Sequence, residues 1–172
     1  MDWRVSSALA LVLCGACATP RAFTGIEADV PRSSEDVRRA VERNWDPYRR
    51  LATATGPTVR QNDELRWSLA CSRAGDEPEV IELVCAWRGE SWRFLESAFD
   101  IEGRRYDLRV VDRSVSDAAR VVEELRVRLP RAVLDTRSDG PLKLRLFGTK
   151  GQVDVEVPRA YVTGFLAALA QR

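Results

Sequence analysis

The sequence predicts an α+β fold, a mainly antiparallel sheet or small sandwich of seven or eight strands with an N-terminal and a C-terminal helix. Three observations carry that expectation. Apolar and polar residues alternate along several stretches in the middle of the chain, which is the period of a half-buried strand. Helical spacing appears near the two ends, at Val37 to Trp45 and at Tyr161 to Leu169. Turn-forming residues separate the alternating stretches at short intervals, as in Gly56-Pro57 and Gly148-Thr149-Lys150-Gly151.

The chain begins with a leader. Arg4 supplies a charged start, Ala8 to Leu13 an apolar stretch and Gly15-Ala16-Cys17-Ala18 a small-residue region, which is the grammar of a signal peptide. Six uninterrupted apolar residues fall far short of the roughly 20 needed for a spanning helix. Residues 1–16 are therefore assigned to a signal peptide and 17–32 to a tether, with Pro20, Gly25 and Pro31 among scattered apolar residues. Residues 33–172 remain for a single globular α+β domain.

Within that domain, Ser33-Ser34-Glu35-Asp36 offers capping residues and early acids, and Val37, Ala40, Val41 and Trp45 follow at helical spacing. The spacing predicts a helix from Ser34 to Asn44. Tyr48 to Thr55 reads as a first strand, stopped by Gly56-Pro57. Leu65, Trp67, Leu69 and Cys71 alternate along a second, and Ile81, Leu83, Cys85 and Trp87 along a third, so each points its cysteine and tryptophan to one face.

Trp92 to Asp100 and Arg105 to Asp112 read as a hairpin whose register places Phe99 opposite Tyr106, Ser97 opposite Leu108 and Leu95 opposite Val110, and on the other face Glu96 opposite Arg109 and Asp100 opposite Arg105. Ser116 to Leu129 fits either a helix capped by Ser116 or a strand. The alternation of Leu125, Val127 and Leu129 favours a strand over Val122 to Leu129, followed by a helical turn at Pro130. A further hairpin, Leu142 to Phe147 with Gln152 to Val157, pairs Leu146 with Val153, Leu144 with Val155 and Leu142 with Val157. It also sets Arg145 against Asp154 and Lys143 against Glu156. Pro158 then opens a helix reaching Ala170, with Tyr161, Val162, Phe165, Leu166 and Leu169 on one stripe.

Composition narrows the chemistry. The 27 basic and 26 acidic residues interleave, giving a net charge of +1 and no footprint for nucleic acid. All but two of the basic residues are arginine. Histidine is absent, which removes Ser-His and Cys-His catalysis and most zinc sites from this chain. No catalytic residues, metal ligands or cofactor are assigned. Three acidic sets, Asp76-Glu77, Glu123-Glu124 and Asp135 with Asp139, read as solvated surface. Gly148 to Gly151 lacks the spacing of a phosphate-binding loop and reads as a hairpin turn.

Two cysteines and one tryptophan stand out as candidate site residues. Cys71 and Cys85 form a candidate disulfide if the protein is exported. In a simple hairpin turning near Gly75-Asp76, however, the two lie about 16 Å apart, beyond the roughly 7 Å a bridge allows. A pair of buried thiols is the alternative. Trp67 and Trp87 share the predicted core face, which leaves Trp92 as the candidate for an exposed binding surface.

Cys14-Gly15-Ala16-Cys17 resembles the lipobox of bacterial lipoproteins, with Cys14 standing where an aliphatic residue is usual. The resemblance implies lipidation at Cys17 and, with Ala18 after it, sorting to the outer membrane, the domain facing the periplasm. Cleavage after Ala18, giving a soluble periplasmic or secreted protein, is the alternative. Trp92-Arg93-Phe94-Leu95-Glu96-Ser97-Ala98-Phe99-Asp100 with Gly103, and the C-terminal hairpin and helix through Leu166, resemble uncharacterised bacterial envelope lipoproteins. That resemblance implies a non-catalytic envelope lipoprotein with a binding or structural role. Its partners are the membrane, through the lipid, and another envelope protein or a wall component. The competing expectation is a periplasmic hydrolase that uses carboxylates without histidine or metal.

Overall fold

Buried and exposed side chains alternate through most of the middle of the chain, and strands form where they do. The computed structural model describes residues 31, 33–116, 119–136 and 140–171. In chain order these form α1 (Ser34–Ala40), β1 (Glu42–Asp46), β2 (Leu51–Thr55), β3 (Val59–Arg60), β4 (Leu65–Ala74), β5 (Val80–Gly89), β6 (Leu95–Asp100) and β7 (Arg105–Tyr106). There follow β8 (Leu108–Val115), β9 (Val121–Leu129), α2 (Arg131–Thr136), β10 (Leu142–Gly148), β11 (Gly151–Val157) and α3 (Arg159–Ala170). None of the described helices is long and apolar enough to cross a membrane.

The architecture is α+β, mostly antiparallel sheet with a helix near each end. The larger sheet runs β1-β2-β4-β5-β9-β8, with β3 also on β4, and the smaller runs β11-β10-β6-β7. Their facing residues join one buried cluster that includes Leu69, Leu83 and Leu125 from the larger sheet and Leu144, Leu146 and Val155 from the smaller. The described strands number eleven, against the seven or eight expected. Two of them, β3 and β7, are only two residues long.

α3 seats Tyr161 and Phe165 in the core, both fully buried. The Tyr161 ring meets Trp67 edge-on at 4.9 Å, a contact worth about 1 kcal/mol beyond its area. Its hydroxyl donates to the Pro57 carbonyl at 2.6 Å and accepts from the Leu69 N–H at 3.4 Å. α1 packs on α3 where Gly164 has no side chain: a Cβ there would lie 2.2 Å from the Ser34 carbonyl oxygen.

Gln61, 1% exposed, joins the layers. Its amide nitrogen donates to the Asp154 carbonyl at 2.9 Å. Its oxygen accepts from the Glu156 N–H at 3.0 Å and from the Trp67 indole at 3.2 Å. The side chain thereby bonds the outer backbone of β11 as a neighbouring strand would.

The β10–β11 register is the expected one, Leu142 opposite Val157 through Leu146 opposite Val153. Arg145 meets Asp154 at 2.6 Å and Lys143 meets Glu156 at 3.4 Å. The strand expected over Val122 to Leu129 is β9, and the turn after Pro130 is α2.

Several local expectations are corrected. The helix from Ser34 does not reach Asn44 but ends at Ala40, because Glu42 to Asp46 pair with β2 instead. Trp45 therefore stands on a strand. The strand expected from Tyr48 starts at Leu51, after a turn in which Arg50 takes φ 48°.

The hairpin near residue 100 has a different register: Ala98 lies opposite Tyr106 and Phe99 opposite Arg105. Asp100 causes the shift. Its carboxylate, 5% exposed, turns inward to accept from the N–H groups of Glu102 and Arg104 and from the Tyr106 hydroxyl. That turn outweighs the exposed Asp100–Arg105 pair that the expected register supplied, which is worth at most about 1 kcal/mol. After Tyr106 the chain leaves the smaller sheet, and β8 pairs with β9 in the larger one.

A buried carboxylate fixes the segment leading into β6. Glu123, 0% exposed, accepts from the N–H groups of Arg93 at 2.7 Å, Phe94 at 3.0 Å and Leu95 at 3.0 Å. The Arg113 guanidinium adds a contact at 3.3 Å. The three amides converge because Phe94 adopts φ 53°, an unusual conformation for a residue with a side chain. The Phe94 ring then packs against two cations, Arg113 at 5.3 Å and Lys150 at 5.1 Å. Glu123 had been expected at the surface. Glu124 beside it is exposed.

Candidate functional site

β1 and β2 extend the larger sheet past the last turn of α3, and a groove opens there. Strand register builds its floor. Arg43, Ala54, Cys71 and Ile81 lie side by side across β1, β2, β4 and β5, and Trp45, Ala52 and Arg73 form the next row. Side chains two apart on a strand share a face, so both rows point toward the core side of the sheet. Leu169 at the end of α3 forms part of the opposite wall, and the groove measures about 450 Å³. That volume is within the range of small-ligand sites, roughly 300–1,000 Å³.

Trp45 is 55% exposed beside this groove. Trp67 and Trp87 are buried at 1% and 3%, as their alternation predicted. Trp92, the expected surface residue, is half-buried, packs against the core and lies 6.1 Å from Phe94. The sequence reading passed over the exposure of Trp45 because Val37, Ala40, Val41 and Trp45 also satisfy helical spacing. In β1 the competing signal is the alternation of Arg43 and Trp45 with Asn44 and Asp46.

Charge is uneven around the groove. The Arg43 guanidinium donates to the Ala168 carbonyl near the C-terminus of α3. Glu79 pairs with Arg131 at 3.6 Å. Arg73 makes no ion pair with the described residues and is exposed.

Cys71 and Cys85 are free and buried. β4 and β5 form the simple hairpin considered above, with Cys71 opposite Ile81 and Cys85 opposite Trp67. Four residues along a strand are about 13 Å, too far for a disulfide. Burial pushes the Cys71 thiol up to about 11, with Glu79 adding to the effect, and pushes Cys85 up to about 12. Both remain thiols at neutral pH, so neither is set up as a nucleophile.

These shifts carry a sign. The folded chain holds the thiol protons more tightly than the unfolded chain, whose thiols titrate near 9. Their contribution to stability is complete below about pH 9 and falls as the pH rises toward 11 and 12. Urea midpoints at pH 8 and pH 10.5 should show that fall. Iodoacetamide at pH 8 should modify Cys85 only after denaturation, and rapid native labelling would contradict its burial.

The three acidic sets singled out in the sequence are placed differently. Glu123 is engaged by three backbone amides and Arg113, while Asp76 and Glu77 are exposed in a turn. Asp135 pairs with Arg131 at 3.1 Å, and its suggested companion Asp139 lies outside the described residues, as does Cys17. Among the described residues no set of three or more histidine, cysteine, aspartate or glutamate side chains is grouped to hold a metal. Comparison with protein-family models, curated proteins and solved structures finds no match to this chain.

Proposed function

We propose that this is a non-catalytic protein of the bacterial cell envelope, anchored by a lipid on Cys17, that binds another envelope protein or a wall component at the groove beside Trp45. One observation carries the binding role: a tryptophan 55% exposed on an edge strand, standing over an apolar groove. Burying a large aromatic surface is a principal source of affinity at protein surfaces, and tryptophan is over-represented among the residues that dominate it. The leader supports the location, and the Cys14 to Cys17 motif supports the anchor.

A photoreactive amino acid placed at position 45 in intact cells tests the reading, with the exposed Arg66 on the opposite face of β4 as the control position. Specific envelope adducts from position 45, absent from position 66, are expected. The same adducts from both positions, or none from 45, overturn the assignment of the surface. Fatty-acid analogue labelling of the same cells should mark Cys17, and its absence overturns the anchor.

A further inference from the structure

The chemistry of the groove specifies a ligand more closely than its exposure does. Its floor is made of small side chains: Ala52, Ala54 and Cys71 occupy adjacent places on β2 and β4. Larger residues at these places would fill the space between Trp45 and Leu169, whereas the small ones leave a trough. Ala52, Ala54 and Cys71 carry no charge at neutral pH, since burial keeps Cys71 a thiol, and the charged members of the same rows, Arg43 and Arg73, stand at the row ends. An occupant therefore gains by laying an apolar body along the floor.

The rim asks for the opposite. Arg73 shares a row with Ala52 and Trp45 and has no carboxylate partner among the described residues. Glu79, the one acid among the described residues that line the groove, lies 3.6 Å from Arg131. Arg43 is engaged with the Ala168 carbonyl. The Arg73 guanidinium thus keeps its donor edge for a ligand at the rim, while Arg43, bonded to a neutral carbonyl, adds a second positive charge to the groove, an arrangement suited to a carboxylate bound through two parallel hydrogen bonds.

We propose that the groove beside Trp45 binds a small amphipathic carboxylate, an acyl chain ending in a carboxylate group. The chain lies on Ala52, Ala54 and Cys71 between Trp45 and Leu169, and the carboxylate pairs with Arg73. Self-association along β1 fits less well. An antiparallel pairing of two copies centred on Asn44 would set Glu42 against Asp46 of the second copy, and like charges directly opposite are destabilising. This inference rests on the binding role assigned to the groove and names the part of the envelope partner that enters it, a carboxylate-ended chain.

The test uses the mature chain with Cys17→Ser, which removes only the acyl acceptor. Decanoate and decyltrimethylammonium, each below its micellar concentration, are titrated by calorimetry and by tryptophan emission. Decanoate should bind saturably and change the emission, and the cationic amphiphile should bind at least roughly tenfold more weakly. Arg73→Gln, a change at an exposed position, should weaken decanoate about tenfold and leave the unfolding midpoint unaltered. Trp45→Phe should retain binding while losing most of the emission change. Equal binding of the two amphiphiles, or unchanged affinity in Arg73→Gln, overturns the carboxylate assignment. No saturable decanoate binding, with position-45 adducts still formed in cells, overturns the ligand class alone. Loss of both overturns the groove as a binding site.

Discussion

Replacing Glu123 by alanine is expected to cost about 3–5 kcal/mol of stability, the usual cost of removing one partner of a buried charged contact. The carboxylate is 0% exposed and serves four donors: the N–H groups of Arg93, Phe94 and Leu95, and the Arg113 guanidinium. Removing it leaves the amides without an acceptor in a place water does not reach. It also removes the acceptor around which Phe94 holds φ 53°. Against a total stability of roughly 5–15 kcal/mol for an ordinary domain, such a loss is large enough to unfold much of the population. Glu123→Gln keeps one acceptor but turns an NH2 toward donors, so its urea midpoint should fall between wild type and Glu123→Ala. A loss below about 1 kcal/mol in the alanine variant would exclude Glu123 as the anchor of this segment.

The second large effect is expected at Gly164, and two terms of opposite sign compete there. Alanine in a helix interior is favoured over glycine by about 1 kcal/mol. A Cβ at this position, however, would lie 2.2 Å from the Ser34 carbonyl oxygen and 2.7 Å from the Val37 Cβ. The first neighbour is backbone, so no rotamer change relieves it. α1 must lift from α3, uncovering Val37, which is 0% exposed. Overpacking of this kind costs typically 1–3 kcal/mol, so the net change should be destabilising. Chemical denaturation of Gly164→Ala decides the sign, and a stabilised variant would show that the two helices do not pack this closely in solution.

How far the fold was legible depended on whether one physical term dominated locally. In β10 and β11 the buried apolar set and the exposed ion pairs selected the same register, so the hairpin could be written down residue by residue. Near residue 100 the same reasoning chose a register one residue away. Pairing Phe99 with Tyr106 satisfies apolar matching, but it exposes the Asp100 carboxylate that in the fold binds two backbone amides and the Tyr106 hydroxyl. Side-chain capture of a turn leaves almost no periodic trace. The passage of the chain from the smaller sheet to the larger after Tyr106 leaves none.

The candidate site was less legible for a related reason. Arg43, Trp45, Ala52 and Arg73 become neighbours only through the pairing of β1, β2 and β4, and no spacing within one segment announces a row that crosses three. Hairpin geometry separates Cys71 from Cys85, yet the export signal kept a disulfide between them among the expectations, and in the fold both are free thiols. Glu123 was hidden by its neighbour Glu124: two adjacent acids look like a solvated pair until alternation on β9 is taken literally and sends one of them inward.

The bonds from Gln61 to Asp154 and Glu156 have a consequence for growth of the sheets. An open strand edge is a template on which foreign chains can assemble without limit. At β11 that template is occupied by a side chain of the same molecule, so a strand arriving there must first displace a buried amide and break its bond to the Trp67 indole. Gln61 acts as a chain terminator, and a variant such as Gln61→Ala would expose two polymerisable backbone positions, the Asp154 carbonyl and the Glu156 N–H.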